Sequence, residues 1–132
     1  MSNVDLHDKR PLSPHLQIYK PIPTMVMSIL HRITGVALYM GTFLVACWLF
    51  AGATSAAYFD LVTGFFGSWF GNLILLGYTW ALMHHLAGGL RHFLWDTGRG
   101  FDKHLSTKLA WLTLAFSIFA TILIWVIGYL VR

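Results

Sequence analysis

Three long runs without a formal charge govern what this chain can become. Ile33 to Phe59 is 27 residues with no Asp, Glu, Lys or Arg, Leu61 to Leu90 is 30, and Leu109 to Val131 is 23. A helix rises ~1.5 Å per residue, so about 20 residues cross a hydrocarbon core of ~30 Å. Each run is long enough. Only 11% of the residues are charged and 57% are hydrophobic. Ordinary soluble domains carry roughly 25% charged residues, and a small chain has more surface to keep wet, not less. These terms exclude a soluble monomer. The expectation is an all-α membrane protein, a single anchor domain over residues 1–132. Its three transmembrane helices fall at about 28–53, 67–95 and 106–130, and the remainder is too short for a second globular domain.

The segments between the runs set sidedness. All four prolines, Pro11, Pro14, Pro21 and Pro23, precede the first span. Proline removes a backbone donor and breaks helices, so residues 1–27 read as an extended segment along the inner face. Thr54–Gly64 reads as a short polar loop, and Asp96–Thr107 as a second, basic one. Lys9, Arg10, Lys20, Arg32, Arg91, Arg99, Lys103 and Lys108 are eight of the nine basic residues, and a three-span chain puts them on one side; only Arg132 falls on the other. By the positive-inside rule the N-terminus is cytoplasmic and the C-terminus periplasmic. Residues 1–9 have neither the apolar stretch of a signal peptide nor an Arg-rich presequence. A bacterial inner membrane is the simplest compartment. The net charge of +4 then serves topology rather than nucleic-acid binding.

Ionisable side chains at membrane depth are costly and point to function. Two clusters qualify. The first ends span two, Met83-His84-His85-Leu86-Ala87-Gly88-Gly89-Leu90-Arg91-His92. On a helix, His85, Gly88, Gly89 and His92 share one face. An imidazole followed one turn later by missing side chains suits a flat macrocycle ligated through iron. Arg91, His92 and His31 would then meet its propionates. The alternative is interfacial histidines beside small-residue helix packing. His84 points ~100° away and is the weaker ligand. The second cluster opens span one, Ser28-Ile29-Leu30-His31-Arg32-Ile33-Thr34-Gly35. Ser28 and Arg32, one turn apart, could hydrogen-bond a quinone carbonyl and stabilise negative charge growing on it. The alternative makes Ser28 a helix cap and Arg32 a topological anchor.

Other features exclude more than they suggest. The single cysteine, Cys47, rules out an intrachain disulfide and a CxxCH haem attachment, and mid-span it reads as a core residue. Gly98-Arg99-Gly100 lacks the third glycine and the strand of a dinucleotide fingerprint. Asp60 reads as a solvated loop charge, and Asp96 as the partner of Arg91 or Arg99.

Together these stretches resemble the cytochrome b556 large anchor subunits of succinate dehydrogenase, respiratory complex II. The matching residues are Arg10-Pro11-Leu12-Ser13-Pro14-His15-Leu16-Gln17-Ile18-Tyr19, then Ser28 to Gly35, then His85 to Asp96, in the expected order around three spans. The resemblance implies that His85 is one axial ligand of haem b, the other coming from a histidine of a small anchor subunit. It implies that Ser28, Ile29 and Arg32 line a ubiquinone site, and that His31, Arg91 and His92 lie near the haem propionates. It implies a flavoprotein subunit and an iron–sulfur subunit as further partners, holding the FAD and the clusters, since this chain has no residues for them. The implied activity is electron transfer from succinate to ubiquinone, with no succinate-oxidising site in this chain. A fumarate reductase anchor and a non-redox helical scaffold are the rival readings.

Overall fold

The computed structural model of this chain describes residues 19–131. Among them every regular element is a helix: α1 (Pro23–Thr54), α2 (Ala56–Gly67), α3 (Trp69–Asp96) and α4 (Lys103–Val131). α1, α3 and α4 have 32, 28 and 29 residues and are long and apolar enough to cross a membrane. At ~1.5 Å per residue each exceeds the hydrocarbon thickness, so its ends reach the polar surface.

α1 begins at Pro23 rather than near Ser28, so the extended segment expected to reach residue 27 ends at Ile22. Ile22 is in the extended conformation with proline directly after it. Proline at a first helical turn has its φ preset, and the N–H it lacks would have no partner there. The rest of that segment, with Lys9 and Arg10, lies outside the described residues, as does Arg132.

The polar loop expected at Thr54–Gly64 is instead α2. One extended residue, Ser55, separates it from α1. Its sequence carries Tyr58, Phe59, Leu61, Val62, Phe65 and Phe66, too apolar for a polar loop, and a helix pairs the backbone groups of such an apolar stretch within itself. Phe59 packs on Trp48 with ring centroids 5.9 Å apart, and the Trp48 indole N–H donates to Thr63 Oγ1 at 3.4 Å. With 12 residues, α2 is too short to span and joins α1 to α3 at one end of the bundle. Ser68 then caps α3, its hydroxyl accepting from the Gly71 N–H at 3.1 Å. At the opposite end the connection is shorter than expected. Gly98 and Gly100 take φ of 74° and 83°, a left-handed turn open to glycine. The Asp102 carboxylate takes the N–H groups of His104 and Leu105 at 3.0 and 2.9 Å, which starts α4 early.

The interior is built from small side chains. Ala81, Ala87 and Gly88 on α3 and Ala110, Thr113, Ser117 and Thr121 on α4 are buried. The hydroxyls of Thr113, Ser117 and Thr121 donate to carbonyls three or four residues back. Satisfied within its own helix, each lets backbones approach as closely as alanine would. The outer faces are apolar and bare. Phe43 is 71% exposed and Leu130 80%, surfaces suited to lipid or to other helices. Cys47 sits on this outer surface, not in the core expected from its position mid-span.

Candidate functional site

The start of α1 and the end of α3 meet at the end of the bundle that carries the α3–α4 turn. His31 on α1 and His85 on α3 stack, with ring centroids 4.0 Å apart and planes 6° from parallel. His92 lies against His31 at 5.2 Å and edge-on to Trp95 at 5.0 Å. Arg91 places its guanidinium 5.0 Å from the Trp95 ring centre, a cation–π contact. The indole N–H of Trp95 donates to the Gly100 carbonyl at 3.2 Å. Thus the structure brings together His31, His85, Arg91 and His92, the four residues expected at a haem site.

The two helices exchange side chains through glycines. A Cβ on Gly88 of α3 would run into the His31 ring, and a Cβ on Gly35 of α1 would lie 3.0 Å from His85 Cε1. Each glycine therefore makes room for the other helix's histidine. The space at Gly88 goes to His31 rather than to a ligand from outside. Gly89 differs: nothing stands within 4 Å of a Cβ built there.

The hydrogen bonds define which nitrogen of His85 is available. Its Nδ1 lies 3.1 Å from the main-chain carbonyl oxygen of His31. A carbonyl only accepts, so Nδ1 carries the proton and Nε2 keeps a lone pair. Buried donors are also left over: Arg91 is 4% exposed, and its Nε and Nη1 have no hydrogen-bond partner. A carboxylate reaching this end of α3 would satisfy them. An unengaged Nε2, open space at Gly89 and unpartnered guanidinium donors fit an iron macrocycle that carries propionates. Among the described residues no three His, Cys or Asp side chains gather as a separate metal site.

His84 faces the other way, as its position on the helix requires. It is fully buried between α3 and α4, with Nδ1 3.3 Å from Ser117 Oγ and its ring on Trp80 at 5.2 Å. Sequence reasoning left Ser117, Thr34 and Gly35 without a role. Thr34 and Gly35 stand in the quoted motif, three and four residues after His31, and that spacing was the available signal. Arg91 stacks on Trp95 instead of pairing with Asp96.

The quinone candidates stand apart from this cluster. Met27, His31, Thr34 and Gly35 turn towards α3, whereas Ile29 (52% exposed), Arg32 and Ile33 (57% exposed) turn outward. Ser28 is half-buried and Arg32 exposed, one turn apart on α1. Among the described residues, nothing covers Arg32.

The chain is similar to known proteins over most of its length. The profile of a family described as succinate dehydrogenase/fumarate reductase transmembrane subunit matches residues 7–124. The succinate dehydrogenase cytochrome b556 subunit of Paracoccus denitrificans is 41% identical over 114 residues, 86% of this chain and 88% of that one. The protein of the same name from Rickettsia typhi is 36% identical over 122 residues, 92% of this chain and 95% of that one. The mitochondrial succinate dehydrogenase cytochrome b560 subunit of Sus scrofa is 38% identical over 101 residues, 74% of this chain and 59% of that one.

Proposed function

This chain belongs to the succinate dehydrogenase/fumarate reductase transmembrane subunit family, and from that premise we propose that it anchors a succinate:ubiquinone oxidoreductase and carries one axial ligand of its haem b. His85 is that ligand, through Nε2. The observation that carries this reading is the commitment of His85 Nδ1 to the His31 carbonyl at 3.1 Å, because metal-bound histidines characteristically donate their second ring N–H in this way. The second ligand comes from a small anchor subunit. When bound, the haem supplies a one-electron store beside the quinone. Arg91, with its two unpartnered nitrogens, holds a propionate, and His92 and His31 border it.

Ubiquinone binds on the outward side of α1. The Ser28 hydroxyl donates to a carbonyl oxygen and Arg32 stabilises the charge that oxygen gains on reduction. Ile29, exposed on the same turn, offers apolar surface to the head group. The flavoprotein and iron–sulfur subunits dock at this end, which shortens the electron path. Among the described residues, Lys20, Arg32, Arg91, Arg99, Lys103 and Lys108 all lie at this end, whereas α2 and its flanks have no basic residue. That asymmetry supports a cytoplasmic N-terminus in a bacterial inner membrane.

The test is haem content. In complexes purified with all subunits, His85→Ala removes the haem measured as pyridine haemochrome and His84→Ala retains it. Haem lost from the His84 variant alone reverses the assignment. Haem retained in both places the ligand elsewhere.

A further inference from the structure

We propose that α1 is the positioning shell of the haem ligand: the His31 main-chain carbonyl and the bare Cα of Gly35 hold the His85 imidazole so that Nε2 is the nitrogen offered to iron. This inference rests on the ligation proposed above and adds to it the residues that aim the ligand.

Three contacts confine the ring. At one corner, Nδ1 meets the His31 carbonyl at 3.1 Å. On one face, the His31 ring lies parallel at 4.0 Å. Along the Cε1 edge, the ring rests against Gly35. A Cβ there would sit 3.0 Å from Cε1, 3.4 Å from Nδ1 and 4.0 Å from Nε2. The first two separations are tight for a methyl group, so glycine sets how near the ring comes to α1. Thr34 leaves the acceptor available. Its hydroxyl lies 2.8 Å from the Leu30 carbonyl and 3.0 Å from that of His31. It has one hydrogen, and the nearer carbonyl takes it. Thr34 Oγ1 is 3.5 Å from Nδ1, too far to replace the carbonyl.

The arrangement follows from the sequence. His31, Thr34 and Gly35 are at i, i+3 and i+4, one face of α1. His85 and Gly88 are at i and i+3 on α3, and Gly88 admits the His31 ring whose carbonyl is being used. A hydrogen-bonded imidazole is a more basic ligand with a fixed plane. It therefore favours ferric iron and sets the orientation of the ligand about the iron–nitrogen bond.

Gly35→Ala in the assembled complex tests this through the haem itself. The readouts are the midpoint potential and the g-max of the low-temperature EPR signal, which reports the orientation of the axial ring planes. Both should shift while haem remains bound, and Gly35→Val should lower haem retention roughly 10–100-fold. Gly77→Ala, where an added Cβ meets nothing within 4 Å, should leave both readouts at wild-type values. Unchanged potential and g-max in Gly35→Ala overturn the proposal.

A second measurement needs no change in α1. In the His85→Gly complex loaded with haemin, imidazole should restore the spectrum at roughly three- to tenfold lower concentration than 1-methylimidazole, which ligates iron but has no N–H to donate. Equal rescue by the two overturns the role of the carbonyl. The underlying ligation fails differently: His85→Ala then keeps its haem. If His85→Ala loses haem and the Gly35 and rescue results are both flat, only the positioning role falls.

Discussion

Gly88→Ala is the substitution on which the packing of this site turns. A methyl group there would overlap His31 Nδ1 and lie 3.0 Å from Cε1 and 3.1 Å from Cγ. Carbon atoms pack best at ~3.5–4.0 Å, so the ring must move by about half an ångström or more. Little slack is available, because the ring is already stacked on His85 at 4.0 Å. Overpacking of this kind costs ~1–3 kcal/mol. Replacing glycine by alanine within a helix returns ~0.5–1 kcal/mol. Gly77→Ala on the same helix gains that return with no atom in the way, so the two variants differ by ~1–3 kcal/mol. Each factor of ten in rate corresponds to ~1.4 kcal/mol. If the contact is lost before the unfolding barrier, Gly88→Ala unfolds roughly 5- to 140-fold faster than Gly77→Ala. Purified complexes held at one temperature in one detergent, followed by tryptophan fluorescence and by the haem band, give both rates. Equal rates would refute the glycine exchange between α1 and α3.

Three further outcomes follow from other parts of the chain. Arg32→Leu should lower succinate–ubiquinone activity up to ~100-fold, and less if the site is wet, while succinate oxidation by a dye that draws electrons from the soluble subunits survives. Equal loss of both in an intact complex would put the defect outside the quinone site. Ser117→Ala removes the partner of the buried His84 Nδ1 at 3.3 Å and should destabilise the complex by ~1–3 kcal/mol with haem content unchanged; a thermal midpoint equal to wild type would refute that bond. Reporter fusions should be active in the cytoplasm at the N-terminus and in the periplasm at the C-terminus, and a cytoplasmic C-terminal reporter would reject three spans.

The three spans were legible because a membrane interior tolerates few charges, and the positions of Arg32, Asp60, Arg91 and Lys108 therefore mark their limits. α2 was not legible. Asp60 falls inside it and was read as a solvated loop charge, and the packing of Phe59 and Thr63 on Trp48 joins residues 11 and 15 apart that no local pattern links. Helical phase sends His84 and His85 about 100° apart, and the structure agrees with that divergence: His84 is buried against Ser117 while His85 meets α1. The occupant of Gly88 was not readable. Helical spacing says that a glycine faces a neighbouring helix, but the register between α1 and α3 decides that His31 enters there. Cys47 was misplaced for a related reason: mid-span is a depth, and exposure depends on which side of α1 the other helices take.

The adjacent histidines of α3 explain why one end of this bundle can be both polar and ordered. His84 and His85 point about 100° apart, so α3 reaches α4 through Ser117 and α1 through the His31 carbonyl. Both ties lie in the half of the bundle that carries the α3–α4 turn, about two helical turns from Arg91. The small residues around them, Gly35, Ala87, Gly88 and Ala110, let the backbones come close enough for such short side chains to meet. Among the described residues the outward side of α1 has no tie of that kind, and Ile29, Arg32, Ile33 and Val36 are exposed. An exposed arginine beside three large apolar residues, at the end of the bundle where the other basic side chains collect, is a surface for contact with something amphipathic. A quinone head group with its apolar tail has that character, and it would approach α1 from the lipid without having to displace the histidines that hold α1 to α3.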